Sequence, residues 1–418
     1  MSAFTVSGGR RLRGTLRVPG DKSISHRALL LAARANGVST ITGLSDGDDV
    51  RRTRTAVQAL GAEVVEDAKG SVRVSGGRLH AAVGSIDAGN SGTTMRLLAG
   101  LCAPFPWRTV ITGDESLSRR PMDRVVDPLR LMGAQVSGRE GGRFAPLEID
   151  GGDLRGIDYD LPVPSAQVKS AILLAALGAD GDTIVRERVQ TRAHTEEMLA
   201  AWGADVTVTD AGRTVRVRRS ELRASSCTVP GDPSQAAFWV VAASIVPESE
   251  LVVENVYLGP GRDGFIRVLE RMDANVAADG SNVRAKSGPM KATSVSGDEV
   301  PGLIDEIPAL AVAASQAEGT TEFRDAGELR VKESDRIASM VEGLRRLGAK
   351  VERLPDGLAV TGPSPLVGAK VNAHGDHRVA MALAVAGLAA SGETTIEGWE
   401  SVAISYPGFE ADLRRCLS

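Results

Sequence analysis

Leu60-Gly61-Ala62-Glu63-Val64 is the stretch on which the fold turns, because it returns four more times along the chain. It recurs as Met132-Gly133-Ala134-Gln135-Val136, Trp202-Gly203-Ala204-Asp205-Val206 and Leu347-Gly348-Ala349-Lys350-Val351, with a degenerate copy at Met272-Asp273-Ala274-Asn275-Val276. The second positions of the five copies are 72, 70, 70 and 75 residues apart. An apolar helix end followed by glycine reads as a left-handed cap, and the β-branched residue after it opens a strand. One such phrase would be a local cap. Five at near-constant spacing indicate a repeated supersecondary unit.

A second phrase follows each first one: a strand hairpin, a loop, then a helix. Val72-Arg73-Val74-Ser75-Gly76-Gly77 leads in this way to Gly89-Asn90-Ser91-Gly92-Thr93, and Leu147-Glu148-Ile149-Asp150-Gly151-Gly152 leads to Ser165-Ala166-Gln167. Six loop-to-helix junctions result, near residues 23, 91, 165, 234, 305 and 377, so 418 residues hold six units. The first unit lacks a preceding Gly-Ala phrase, and the last helix, from Phe409 to Leu417, lacks a following strand pair. The two chain ends are therefore expected to complete one unit together. Helices such as Ala171 to Leu177 and Val379 to Ala390 are apolar on nearly every side, which predicts that they are buried. A single unit cannot hide such a helix, so three units are expected to close around shared helices. This predicts two α/β domains, residues 20–230 and residues 1–19 plus 231–418, with the six helix N-termini facing a common cleft.

Composition narrows the function classes. Forty-nine Lys and Arg against 53 Asp and Glu leave a net charge of −4, which argues against a nucleic-acid partner. The longest apolar run, Ala236 to Val246, is far short of the roughly 20 residues that span a bilayer, so no membrane partner is expected. No apolar signal region precedes Arg13, and Cys102, Cys227 and Cys416 show no metal-ligand spacing, so a cytoplasmic protein without a metal is expected.

The junction loops carry chemistry. Free N–H groups at helix N-termini attract phosphate. The first loop, Asp21-Lys22-Ser23-Ile24-Ser25-His26-Arg27, puts two cations where they oppose the helix dipole, a poor choice for stability alone, although a solvated charged turn remains a plainer reading. The glycine-rich second loop precedes Arg119-Arg120-Pro121, read as a guanidinium pair before a proline-started helix. Ser165, Gln167 and Lys169 supply donors at the third, where a simple N-cap stays open. Asp305 and Glu306 open the fifth, Arg330-Val331-Lys332-Glu333-Ser334-Asp335-Arg336 follows it, and Gly375-Asp376-His377-Arg378 opens the sixth. Each of these alone is ambiguous. Together, Lys22, Arg27, Arg120, Lys332, Arg336 and Arg378 with the acids Asp305 and Glu333 suit a polyanionic small substrate and proton transfer. No Ser-His-Asp arrangement, Walker A loop or dinucleotide glycine fingerprint is present.

The segments Pro19 to Arg27, Gly89 to Thr93, Arg330 to Arg336 and Gly375 to Arg378 resemble the enolpyruvyl transferase family, and the resemblance spans essentially the whole chain. It implies a two-domain inside-out α/β barrel of six βαβαββ repeats, three per domain, closing over its substrates. It implies transfer of the enolpyruvyl group of phosphoenolpyruvate to the 5-hydroxyl of shikimate 3-phosphate, by addition and elimination, with no cofactor and a monomeric enzyme. By match, Lys22, Ser23, Arg27, Ser165, Gln167, Arg192, Asp305 and Lys332 would hold shikimate 3-phosphate. Lys22, Asn90, Gly92, Arg120, Gln167, Arg336, His377 and Arg378 would hold phosphoenolpyruvate. Asp305 would be the base on the 5-hydroxyl, with Glu333 and Lys22 relaying the proton at the methylene carbon.

The match has departures. Ala166 stands where many members carry a second serine, and Ile404 where many carry a lysine. Gly92 is typical of glyphosate-sensitive members, whereas Arg192 resembles an arginine of a tolerant subgroup. Two other readings compete. A UDP-N-acetylglucosamine enolpyruvyl transferase would typically show Lys-Asn at the first loop and a cysteine before the Arg120 position, where this chain has Lys22-Ser23 and no cysteine from Glu115 to Arg120. A non-catalytic repeat scaffold would scatter its charges rather than concentrate them at equivalent loops.

Overall fold

Five helix ends close in the same way in the computed structural model, which describes residues 2–417. At each, one N–H reaches back three residues and the next reaches back five: Gly61 to Gln58 and Ala62 to Val57, Gly133 to Arg130 and Ala134 to Leu129, and likewise at Gly203, Asp273 and Gly348. This double bond satisfies the last carbonyls of the helix and needs a left-handed residue at its centre. Gly61, Gly133, Gly203 and Gly348 take φ of 97°, 112°, 85° and 90°. The degenerate copy keeps the geometry without glycine, Asp273 adopting φ 58°, which short polar side chains tolerate.

The chain forms two units, one from Gly20 to Val229 and one joining the segment that ends at Pro19 to the segment that begins at Pro230. The second crossing falls one residue ahead of the expected 230/231. Val229 N–H still bonds Thr42 O, whereas Gly231 N–H bonds Asn255 O, and Pro230 between them has no N–H to commit it.

Sheets follow one plan. In the sheet Ile86–Asp87, Arg108–Thr112, Phe144–Asp150, Gln135–Gly138, the first strand pairs parallel with the second, and the rest pair antiparallel. The helix Gly92–Cys102 connects the parallel pair, as a parallel connection requires. The sheets starting at Asp158–Asp160 and Ser294–Val295 repeat this order. At the two crossings the first strand of the plan comes from a distant part of the same unit. Arg13–Arg17 pairs with Glu250–Glu254 and Ser226–Thr228 with Gly37–Thr42, so each strand stays with the unit the chain is leaving. The sixth sheet has Ala3–Ser7 antiparallel to Glu393–Glu397, beside Lys370–Asn372.

Within each unit the apolar helices lie inside. Pro233–Ile245 is buried along its whole length, and it packs on Ile307–Ala314 and His377–Ala389, which also meet each other. In the other unit Gly92–Cys102 packs on Ala166–Ala176 and on Lys22–Arg34. The approach there is close: a Cβ on Gly100 would fall 2.2 Å from Ala171 O, so only glycine fits. Leucines such as Leu29, Leu30 and Leu31, all at 0% exposure, each contribute about 1.5–3 kcal/mol relative to remaining in water.

Candidate active site

Five of the six buried helices begin at a side-chain cap, which fixes where the neighbouring functional groups stand. Asp21, Ser91, Ser165, Asp232 and Asp376 each accept a backbone N–H two or three residues on. At the fifth junction Glu306 holds the cap position without such a bond, followed by Pro308 in the first turn.

In the unit Gly20–Val229, Lys22 stands in the first turn after Asp21, its Nζ 2.9 Å from Asp49 Oδ2. Arg27 is buried, with Nε donating to Thr195 Oγ1 at 2.6 Å and Nη2 to Ser170 Oγ at 2.5 Å. Arg192 Nη1 donates to Ser23 Oγ at 3.4 Å, so Lys22, Ser23, Arg27 and Arg192 share one corner.

A second corner forms around Gly92. A Cβ there would lie 2.8 Å from Arg96 Nη1 and 3.6 Å from Arg120 Nη1, so the glycine leaves open the place where two guanidiniums converge. Arg120 Nη2 donates to Asn90 Oδ1, and Asn90 Nδ2 donates to Asp114 Oδ2 at 2.8 Å. Gln167 accepts from Arg96 Nη1 at 2.6 Å and donates to Thr93 Oγ1 at 2.8 Å. Ser165 caps the helix that presents Gln167, its Oγ 3.4 Å from Val168 N. The expected guanidinium pair does not form. Arg119 is exposed and pairs with Glu115 at 3.0 Å, while Arg120 turns inward. Nor does Pro121 open the helix, which starts at Asp123.

In the other unit, Arg336 organises the acids. Its Nη1 lies 3.1 Å from Asp305 Oδ1, its Nη2 2.5 Å from Glu333 Oε2 and its Nε 2.8 Å from Asp376 Oδ2, with the guanidinium itself buried. Burial alone would lower its pKa, but Asp376, Glu333 and Asp305 outweigh that and raise it above the ordinary arginine value. Arg378 donates from Nη1 to Asp305 O at 3.0 Å and has Nη2 3.7 Å from Asp305 Oδ2. Lys332 is half-buried at the end of the short turn Gly327–Val331. His377 is buried with Nδ1 2.5 Å from Ser405 Oγ, which in turn accepts from Gln235 Nε2 at 3.0 Å.

Linear spacing suggests no metal set, yet ligand atoms of Glu333, Asp376 and His377 come within 4.8 Å of one another. Arg336 already contacts both carboxylates, so an incoming cation would compete with a guanidinium for them.

Reasoning along the chain missed several residues that hold these corners. Asp49 pairs Lys22 from 27 positions away, and Asp376 binds Arg336 from 40 positions away. Arg96 had a usable signal, lying one helical turn beyond Gly92 on the same face.

The family model of EPSP synthase (3-phosphoshikimate 1-carboxyvinyltransferase) matches residues 6–413. The chain belongs to the EPSP synthase family. It is 52% identical to a 3-phosphoshikimate 1-carboxyvinyltransferase of Gloeobacter violaceus, over 99% of this chain and 98% of that one. The corresponding protein of Synechococcus sp. strain JA-3-3Ab is 50% identical over 99% and 97%. The solved EPSP synthase of Acinetobacter baumannii superposes with a TM-score of 0.86 at 40% identity, covering 99% of this chain and 98% of its own. The enolpyruvyl transferase NikO of Streptomyces tendae, 20% identical with a TM-score of 0.82 over 99% and 97%, shares the fold. As a member of the EPSP synthase family the chain is a transferase with a two-domain inside-out α/β architecture.

Proposed function

We propose that the chain transfers the enolpyruvyl group of phosphoenolpyruvate to the 5-hydroxyl of shikimate 3-phosphate, with the roles divided among the residues described above. The observation that carries the reading is the Arg336 guanidinium, which holds Asp305 and Glu333 at 3.1 and 2.5 Å. Two carboxylates set by one cation form an acid–base pair with fixed separation, as proton transfer at two substrate atoms requires.

In the addition step, Asp305 takes the 5-hydroxyl proton as that oxygen bonds to C2 of phosphoenolpyruvate. The C2–C3 π pair takes a proton at C3 from Glu333, giving a tetrahedral intermediate. In the elimination step a C3 proton returns to Glu333, with Lys22 in the relay, the double bond re-forms, and the C2–O bond to phosphate breaks with its electron pair, the departing phosphate taking up the proton held by Asp305. Lys22, Arg120, Arg336 and Arg378 supply positive charge for the phosphate and carboxylate of phosphoenolpyruvate. Ser23, Arg27, Ser165 and Arg192 serve the 3-phosphate, Lys332 with Asp305 the acceptor hydroxyls, and Gln167 both substrates. Asn90 orients Arg120, Gly92 keeps the space before it open, and His377 lies at the helix start beside Arg378.

A cytoplasmic monomer belongs to the same reading. The free thiols Cys102, Cys227 and Cys416 suit a reducing compartment, and among the described residues no helix is long and apolar enough to cross a membrane.

The deciding experiment mixes the protein with phosphoenolpyruvate and either shikimate 3-phosphate or UDP-N-acetylglucosamine and measures phosphate release. Release with the first acceptor only is expected. Release with the second alone would overturn the reading in favour of the sibling transferase, and release with neither would reject both.

A further inference from the structure

Lys169 is wholly buried in the helix Ala166–Ala176, yet its Nζ lies 2.7 Å from Glu187 Oε2 and 2.7 Å from Glu196 Oε1. The exposures of the three side chains are 0%, 0% and 2%. Placing one ammonium and two carboxylates in an interior is a weak way to gain stability, since apolar side chains of similar volume do as well or better. The arrangement is also unbalanced: among the described residues Glu196 Oε2 has no hydrogen-bond partner. Burial raises the Glu196 carboxyl above its ordinary pKa, against the opposing pull of Lys169.

The positions of the two acids give the arrangement a purpose. Glu187 follows the strand Thr183–Arg186, and Glu196 lies in the first turn of the helix His194–Ala201. They mark both ends of the loop that carries Arg192. Inside that loop Thr191 bonds Glu187 twice, its N–H to Oε2 at 3.3 Å and its Oγ1 to Oε1 at 2.5 Å. Ser170, next to Lys169, shares a 2.6 Å hydrogen bond with Thr195 and accepts from Arg27. Two consecutive residues of one helix thus grip the loop at its start and its end, while Arg192 reaches Ser23 from its middle.

We propose that Lys169 is a positioning residue, which through Glu187, Thr191 and Glu196 fixes the loop that aims Arg192 at the phosphorylated acceptor. The inference rests on the acceptor reading given above.

Lys169→Met alone would strand two buried carboxylates, so the test uses the uncharged triple variant Lys169→Met/Glu187→Gln/Glu196→Gln and, separately, Thr191→Val. Each is made with and without Arg192→Ala. The expected result is a rise of about tenfold in KM for shikimate 3-phosphate, with kcat, KM for phosphoenolpyruvate and the urea midpoint little changed. Adding Arg192→Ala should produce no further rise, because both changes remove the same interaction. An unchanged KM for the acceptor, a rise that multiplies with that of Arg192→Ala, or a general loss that tracks a lowered urea midpoint would each overturn the proposal. If the triple variant does not fold, Thr191→Val decides by the same criteria. If the wild-type protein releases no phosphate with shikimate 3-phosphate, the acceptor reading has failed on its own. Amide hydrogen exchange across residues 188–193 then decides the loop-fixing role: faster exchange in Thr191→Val supports it, and equal exchange overturns it.

Discussion

Arg336 Nη1 stands 3.1 Å from Asp305 Oδ1, joining the helix that starts at residue 336 to the loop before the helix that starts at residue 307. The cation is held in turn by Glu333 and Asp376, so Asp305 faces a guanidinium whose other donors are already committed. A carboxylate in that position is restrained by an opposite charge, an arrangement that suits a base of fixed orientation.

Asp305→Asn removes the proposed base but keeps the shape. Turnover should fall by about 10²- to 10⁴-fold while shikimate 3-phosphate binds within a few-fold of wild type. Phosphate release and calorimetric titration measure the two quantities. Glu333→Gln should behave in the same way, and near-normal turnover in both variants would contradict the assignment of roles.

Arg336→Lys keeps the charge and loses the fork. One ammonium cannot span three carboxylates that a planar guanidinium reaches with three nitrogens. A loss of about 3–5 kcal/mol in urea unfolding is expected, the usual consequence of leaving buried acids uncompensated. An unchanged midpoint would show that the acids rearrange at little cost.

Gly92→Ala should act through Arg96. The added methyl would sit 2.8 Å from the far end of that flexible side chain, which can yield but only by leaving Gln167. The expected outcome is a rise of roughly tenfold in KM for phosphoenolpyruvate, equivalent to about 1.4 kcal/mol, with little change in the unfolding midpoint. Steady-state kinetics with each substrate varied in turn provides the check.

His26 gives the fold an acid-sensitive point. It is fully buried, with Nδ1 2.6 Å from Thr53 Oγ1, and burial, helped by Lys22 and Arg27, drives its pKa well below the ordinary 6.5. The unfolded chain therefore binds this proton more readily than the folded one. The contribution is fully present above pH 6.5 and is lost as pH falls from there toward the folded-state value. His26→Gln should flatten the pH dependence of the urea midpoint between pH 6.5 and 5. An equal slope in both proteins would assign the acid sensitivity elsewhere.

The repeat was legible because its punctuation is local. A glycine or a short polar residue at a helix end, and a Ser or Asp at a helix start, act over three to five residues, and Asp273 shows that the cap geometry outlasts the glycine. The loop residues could be picked out for the same reason, since they lie beside those caps. Pairing across the chain could not be read. Nothing near Lys22 points to Asp49, nothing near Arg336 to Asp376, and the apolar neighbourhood of Lys169 suggests no ionic partners. The Arg119-Arg120 pair failed because adjacent residues in a tight turn face different ways, one to water and one inward.

The strands that stay behind at each crossing set an order of assembly. Gly20–Val229 is one uninterrupted segment, so everything it needs has emerged once residue 229 leaves the ribosome. The unit made of two segments must wait. Arg13–Arg17 has no sheet until Glu250–Glu254 exists, and Ala3–Ser7 has none until Glu393–Glu397. Strands made before the segment Gly20–Val229 thus find their neighbours only after it. A chain released early would carry the unit Gly20–Val229 with all its strands and two edge strands without a home, a species prone to self-association and a natural target for chaperones.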